Sequence, residues 1–146
     1  METLTTEIAA VIDRSGSMGQ IREDAIGGFN TFLQDQQREI GRARLTLTLF
    51  SSGCEIVHNG VDAREISPLT LDSYRPRGGT ALYDAIGLTL EAMDRRLSAN
   101  GSEGQGPVIC AILTDGLENS SKRYRQADIF KMINERRQRQ GWEFMF

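Results

Sequence analysis

Apolar and polar positions along this chain follow two periods, and the switches between them mark the elements. Residues 8–12 form an unbroken apolar run, expected of a strand buried on both faces. Ile21, Ala25, Phe29, Phe32, Leu33 and Ile40 then recur at helical spacing, which predicts one helix over residues 18–39. Over residues 45–50 Leu alternates with Thr, as in a strand; Ser51-Ser52-Gly53 turns the chain, and residues 54–58 return as a short antiparallel strand. A further edge segment is expected around residues 64–66 and a turn at residues 71–74. The loop Arg75-Pro76-Arg77-Gly78-Gly79 leads into a second helix over residues 81–97, and residues 98–106, with four breakers, read as a surface linker. Residues 108–113 are almost purely apolar, again the mark of burial on both faces. A polar loop over residues 115–121 precedes a third helix, residues 126–139, which Gly141 closes. Residues 142–146 read as a last strand, expected beside residues 108–113.

Strands separated by helices imply an α/β domain: a doubly wound, Rossmann-like, mostly parallel sheet with one antiparallel hairpin strand and helices on both faces. A length of 146 residues suits a single domain spanning the chain. Ligands of such sheets bind outside the carboxyl ends of the strands.

Composition changes this picture little. Hydrophobic residues at 39% and charged residues at 25% are ordinary for a globular domain, and no apolar stretch reaches the roughly 18 residues of a membrane span. Cys54 and Cys110 are too few for a disulfide framework and are expected as free thiols, which favours a cytoplasmic setting. The net charge of −3 conceals an asymmetry: residues 1–121 carry 10 basic and 17 acidic side chains, whereas residues 122–146 carry 7 basic and 3 acidic. A solvated helix face accounts for the basic segment, so neither a membrane nor nucleic acid is an expected partner.

The chemistry lies in three loops at strand ends or helix starts. Asp13-Arg14-Ser15-Gly16-Ser17 follows the first strand and sets one carboxylate and two hydroxyls at alternate positions. Thr80 follows Gly78-Gly79, and Thr114-Asp115-Gly116 follows the buried run 108–113. Small hard oxygen donors without His or Cys suit a hard cation better than zinc or copper. In these residues the chain resembles the von Willebrand factor type A (vWA) domain, whose metal-ion-dependent adhesion site (MIDAS) combines Asp-x-Ser-x-Ser with a Thr and an Asp from two further loops. The resemblance implies that Ser15, Ser17 and Thr80 touch Mg²⁺ or Mn²⁺, and that Asp13 and Asp115 assist mainly through water. Such a site implies a protein-interaction module of the prokaryotic intracellular type, in which a partner's Asp or Glu completes the metal's coordination. The family fold usually continues through one more helix and strand, so the resemblance also implies a C-terminally truncated domain. The strand at 142–146 is then an edge, prone to self-association.

Each residue has a plainer reading. Ser17 with Gln20 fits a capping box, Thr80 an N-cap and Asp115 a turn former. Singly those readings win; together, on three loops at one sheet edge, the residues favour a metal site. Asp24 and Glu118 lie near these loops but match no required position. The competing class is an enzyme. Ser15-Gly16-Ser17-Met18-Gly19 approaches a nucleophile elbow with Ser17 as nucleophile, but the lone His58 precedes Asp115, against the chain order that such hydrolases require. A phosphotransferase with Asp13 as nucleophile lacks the usual second Asp two residues on, where Ser15 stands. Trp142, Phe144 and Phe146 alternate as one strand face and read as core or interface.

Overall fold

The structure, a computed structural model, describes residues 4–39, 41–100, 105–114 and 118–145. Five strands and three helices follow in the order β1 (Thr5–Asp13), α1 (Arg22–Arg38), β2 (Arg42–Phe50), β3 (Cys54–Asp62), α2 (Leu82–Asn100), β4 (Gln105–Leu113), α3 (Gln126–Gln140) and β5 (Glu143–Met145). They build one sheet in the order β3-β2-β1-β4-β5. β1 runs parallel to β2 and β4, β4 runs parallel to β5, and only β3 is antiparallel, beside β2. This is the doubly wound, mostly parallel α/β arrangement with one antiparallel hairpin strand.

The central strand explains the two-sided core. Ile8, Ala10 and Ile12 pack with Met18, Ala25, Phe29 and Leu33 under α1, while Ala9 and Val11 pack with Ile86, Leu90 and Met93 of α2 and Ile129 and Ile133 of α3. Successive side chains point to opposite faces, so a strand flanked on both sides must be apolar throughout.

Several sequence expectations need correction. The helix expected over residues 18–39 is broken: Gly16–Ile21 is a 3₁₀ segment, and the α-helix starts at Arg22. Met18 of the 3₁₀ segment packs in one core with Ala25, Phe29 and Leu33 of α1, so apolar positions recur on both sides of the break, although Ile21 at the junction is exposed. β3 extends to Asp62, and the edge segment expected at residues 64–66 is instead a 3₁₀ turn, Ala63–Glu65, held by the Asp62 carboxylate on the Arg64 N–H. β4 is buried on the α2 side through Val108, Cys110 and Ile112, but Leu113 on the other face is 39% exposed. Of the linker expected at residues 98–106, residues 98–100 belong to α2 and residues 105–106 to β4, and residues 101–104 lie outside the described residues.

Of the strand expected at residues 142–146, Glu143–Met145 pairs with β4, Cys110 opposite Phe144, and occupies the sheet edge; Phe146 lies outside the described residues. Gly141 ends α3 in the left-handed conformation at φ 70°. Trp142 lies just outside the strand and is buried, with the Arg136 guanidinium 5.6 Å above its ring. Cys54 and Cys110 are free thiols. Among the described residues, no helix is long and apolar enough to cross a membrane.

Candidate metal centre

The carboxyl ends of β1, β2 and β4 converge with the turn before α2, and the candidate hydroxyls lie in these connections. Asp13 closes β1 and is fully buried. Its Oδ1 accepts the Ser15 N–H at 2.8 Å, and its Oδ2 accepts the Thr114 hydroxyl at 2.9 Å. The first bond is an Asx turn, which folds the loop back and brings the Ser15 and Ser17 hydroxyls to 3.1 Å from one another. Ser15 is buried and Ser17 is exposed. Ser15, not Ser17, is the N-cap of the 3₁₀ segment, and no side-chain bond caps it. The Ser17 Oγ meets the Ser15 hydroxyl.

Thr80 is buried and reaches this loop through its chain neighbours. The Gly16 N–H donates to the Gly78 carbonyl at 3.0 Å, and the Arg77 N–H donates to the Arg14 carbonyl at 2.9 Å. Gly78 holds φ +71°, where a Cβ would also stand 2.9 Å from Ser52 Oγ, so glycine is required. Asp115 lies outside the described residues. Its neighbour Thr114, which donates to Asp13, places the end of β4 at the site.

Residues that hold the site were not singled out from sequence. Tyr74 is fully buried in the loop before α2, and its hydroxyl donates to the Asp13 carbonyl at 2.5 Å. Glu118, set aside above, accepts from the Tyr83 N–H at 3.4 Å and from the Ser121 hydroxyl. Asp84 accepts the backbone N–H groups of Lys122, Arg123 and Tyr124 at 2.8 to 3.0 Å. One signal for these residues was present: Asn119-Ser120-Ser121 are capping types too far ahead of α3 to cap it, so they serve another element.

Among the described residues no Lys or Arg pairs with Asp13. Nor does any cluster of three or more His, Cys, Asp or Glu side chains able to hold a metal occur among them. The donors gathered here are hydroxyls around a single described carboxylate, a set for hard cations rather than for zinc. Nucleophilic alternatives find little in this geometry. His58 sits in mid-β3 opposite Leu47, on a different element from Ser17. Burial, then the negative charge of Asp84, pushes the half-buried Cys54 thiol up to about 11, so it stays protonated at neutral pH.

The fold has known counterparts. Manganese-loaded TRAP of Plasmodium vivax aligns with 99% of this chain at a TM-score of 0.65 and 17% identity, over 57% of its own length. A von Willebrand factor type A protein of Catenulispora acidiphila aligns with 97% at a TM-score of 0.57 and 20% identity, over 32% of its length. The vWF domain of the type V pili tip protein Mfa5 of Porphyromonas gingivalis aligns with 88% at a TM-score of 0.56 and 21% identity, over 44% of its length. The chain thus spans less than three-fifths of each of these solved chains. Its fold is that of vWA domains. No protein-family model and no curated protein matches the sequence.

Proposed function

We propose that this domain is a protein-binding module, not an enzyme, whose MIDAS-like site holds Mg²⁺ or Mn²⁺ and engages an Asp or Glu of a partner. Ser15, Ser17 and Thr80 would supply the hydroxyl oxygens, with the Asp13 and Asp115 carboxylates assisting. When bound, the cation supplies positive charge at the surface with a position open to an outside carboxylate. The chain's own part is to orient Asp13 through Ser15 and Thr114 and to present hydroxyls, which are neutral and leave that charge under-compensated.

A contrast between two carboxylates of one strand carries this reading. Glu7, at the amino end of β1, is 2% exposed and is met by Arg96, with Nη1 3.1 Å from Oε1 and Nη2 2.9 Å from Oε2, and by Arg44 at 3.8 Å. Asp13, at the carboxyl end and equally buried, receives two hydrogen bonds and, among the described residues, no cation. A buried carboxylate without a countercharge is costly by several kcal/mol, of order of what its charge-assisted hydrogen bonds return. Such a group is suited to a mobile cation.

The test is calorimetric titration of chelator-stripped protein with MnCl₂ and MgCl₂. One binding event is expected, strongly weakened by Asp13→Ala and by Asp115→Ala. Unchanged affinity in both variants overturns the cation site. Partner binding that persists in excess chelator overturns the carboxylate-engagement step.

A further inference from the structure

Thr80 is the site hydroxyl whose position depends on the most distant parts of the chain. Its neighbours are tied to the β2–β3 turn: the Gly79 N–H donates to Ser52 Oγ at 2.8 Å and the Ala81 N–H to the Ser51 carbonyl at 2.7 Å. Thr80 itself is tied to the opposite side. Its N–H donates to Asn119 Oδ1 at 2.9 Å, and its carbonyl accepts the N–H groups of Asn119 and Ser120 at 2.9 and 3.0 Å. Asn119 Oδ1 also accepts the Ser120 hydroxyl at 2.6 Å, which fixes the side chain in this orientation. The approach is close: a Cβ on Gly79 would run into Ser120 Oγ and stand 2.8 Å from Asn119 Oδ1.

We propose, resting on the cation reading above, that Asn119 is a positioning residue that fixes the Thr80 peptide, and with it the Thr80 hydroxyl, in the cation-binding set. The Gly79–Thr80 peptide is held at its N–H by Asn119 Oδ1, and the Thr80–Ala81 peptide is held at its carbonyl by the N–H groups of Asn119 and Ser120, so the planes on both sides of the Thr80 Cα are fixed. This segment, which follows Asp115 in the sequence, is joined to the Thr80 loop by one side-chain bond and two backbone bonds. The grip of Ser51 and Ser52 on Gly79 and Ala81 does not involve Asn119. Loss of the Asn119 side chain therefore frees the N–H of the Gly79–Thr80 peptide, while the backbone bonds to the Thr80 carbonyl and the Ser51 and Ser52 bonds keep the loop in place. The accepting oxygen does the work, because Asn119 Oδ1 receives both bonds.

Three variants and a control test this in the full chain. Asn119→Ala removes the acceptor, and Mn²⁺ affinity is expected to fall by up to about tenfold, as for the loss of one part-buried hydrogen bond. Asn119→Asp keeps an acceptor oxygen and is expected to restore wild-type affinity or exceed it. Gly79→Ala, by a different route, forces Asn119 and Ser120 away and should mimic Asn119→Ala. The control is Asn30→Ala, since Asn30 brackets Leu69 in the same manner, with bonds of 2.9 and 2.7 Å, under α1. It should lower stability but leave Mn²⁺ affinity unchanged. A second readout needs no metal: amide hydrogen exchange in chelator should show Thr80 protected in the wild type and in Asn119→Asp, and fast in Asn119→Ala. A wild type that fails to bind Mn²⁺ defeats the cation reading, and exchange still reports on the tether. Wild-type Mn²⁺ binding with equal affinity in Asn119→Ala, or an Asn119→Asp as weak as Asn119→Ala, overturns the positioning role.

Discussion

Asp13→Asn keeps the shape of a fully buried side chain while removing its charge. One oxygen can still accept the Ser15 N–H, and the new amide can donate to Thr114 Oγ1, whose hydroxyl is able to accept as well as donate. The carboxylate's two bonds are charge-assisted, about 1.5–3 kcal/mol each, and neutral bonds are roughly half as strong. The substitution therefore gives up about 1.5–3 kcal/mol of hydrogen bonding. It also removes a buried charge whose effective desolvation cost is several kcal/mol. The two nearly cancel, so in chelator the variant should lie within about 2 kcal/mol of the wild type, on either side.

A cation bound as proposed would break that balance. At about 100 times its dissociation constant, a ligand that binds only the folded state adds about 2.7 kcal/mol. For a domain of this size each kcal/mol moves Tm by roughly 2–4 °C, so Mn²⁺ should raise the wild-type Tm by about 5–11 °C. Asp13→Asn should show little or none of this rise. The assay is thermal unfolding followed by circular dichroism, in EDTA and across a MnCl₂ series. Two results would refute the reasoning: equal Mn²⁺-dependent shifts in both proteins, or a variant more than about 3 kcal/mol less stable in EDTA. The second would mean that the fold itself depends on the Asp13 charge.

At the other end of the sheet, Arg96→Leu should cost about 3–5 kcal/mol in urea unfolding by leaving Glu7 buried with only the 3.8 Å contact to Arg44, while Mn²⁺ affinity stays unchanged. Gly60→Ala should destabilise by more than about 1 kcal/mol, since φ is +68° and the new Cβ would stand 2.6 Å from the Arg96 Cζ. Thr48 and Thr89 are buried with their hydroxyls 2.6 Å apart, and Thr89 also donates to the Ala85 carbonyl. Thr89→Val orphans the Thr48 hydroxyl and should cost about 1–3 kcal/mol, more than Thr48→Val; the double variant should recover part of that loss, and simple additivity would be the contrary result. Burial pushes Cys110 up to about 12 and, with Asp84, Cys54 up to about 11, from an ordinary value of 9.0. These thiols therefore add nothing to the pH dependence below about pH 9, and their effect is a loss of stability as pH climbs through about 9–11, where the unfolded chain has given up protons that the folded one keeps. A disulfide reagent at pH 8 should accordingly react much faster after denaturation, and equal rates would contradict the burial.

Where the information was local, sequence reading reached the structure. The run Ile8-Ala9-Ala10-Val11-Ile12 could be stable only with apolar cover on both sides, and both cores meet on it. The hydroxyl spacing in Ser15-Gly16-Ser17 likewise survived, because an Asx turn on Asp13 sets it within three residues. What escaped was nonlocal or shared a pattern with something else. The 3₁₀ segment before α1 sets Met18 in the same core as the helix, so periodicity alone cannot divide them. β3 runs four residues beyond the expected end because Gly60, a breaker by composition, instead takes up a positive φ that leaves room for Arg96. Tyr74 and Asn119 act on Asp13 and Thr80 across 61 and 39 residues, and no spacing rule connects such pairs.

The same distinction bears on β1 itself. The residue that neutralises Glu7 stands 89 positions away on α2, so nothing near Glu7 in the sequence announces that its charge is met. Asp13 looks less conspicuous locally, a carboxylate in a Ser/Gly loop that any turn would welcome. Only the assembled sheet separates them: both are buried in one strand, yet one receives a guanidinium from α2 and the other receives neutral donors. Arginines do lie close to Asp13 in sequence and space, but none among the described residues pairs with it. Arg14 reaches toward Glu55 at 3.9 Å, and Arg77 is an exposed residue. On the proposed reading, a fold that meets one buried carboxylate with a fixed cation, and among the described residues pairs none with the other, would leave the second to a charge from outside. The hydroxyls of Ser15 and Ser17 face one another beside it, and Thr80 is anchored nearby by partners that place no fixed charge on its peptide.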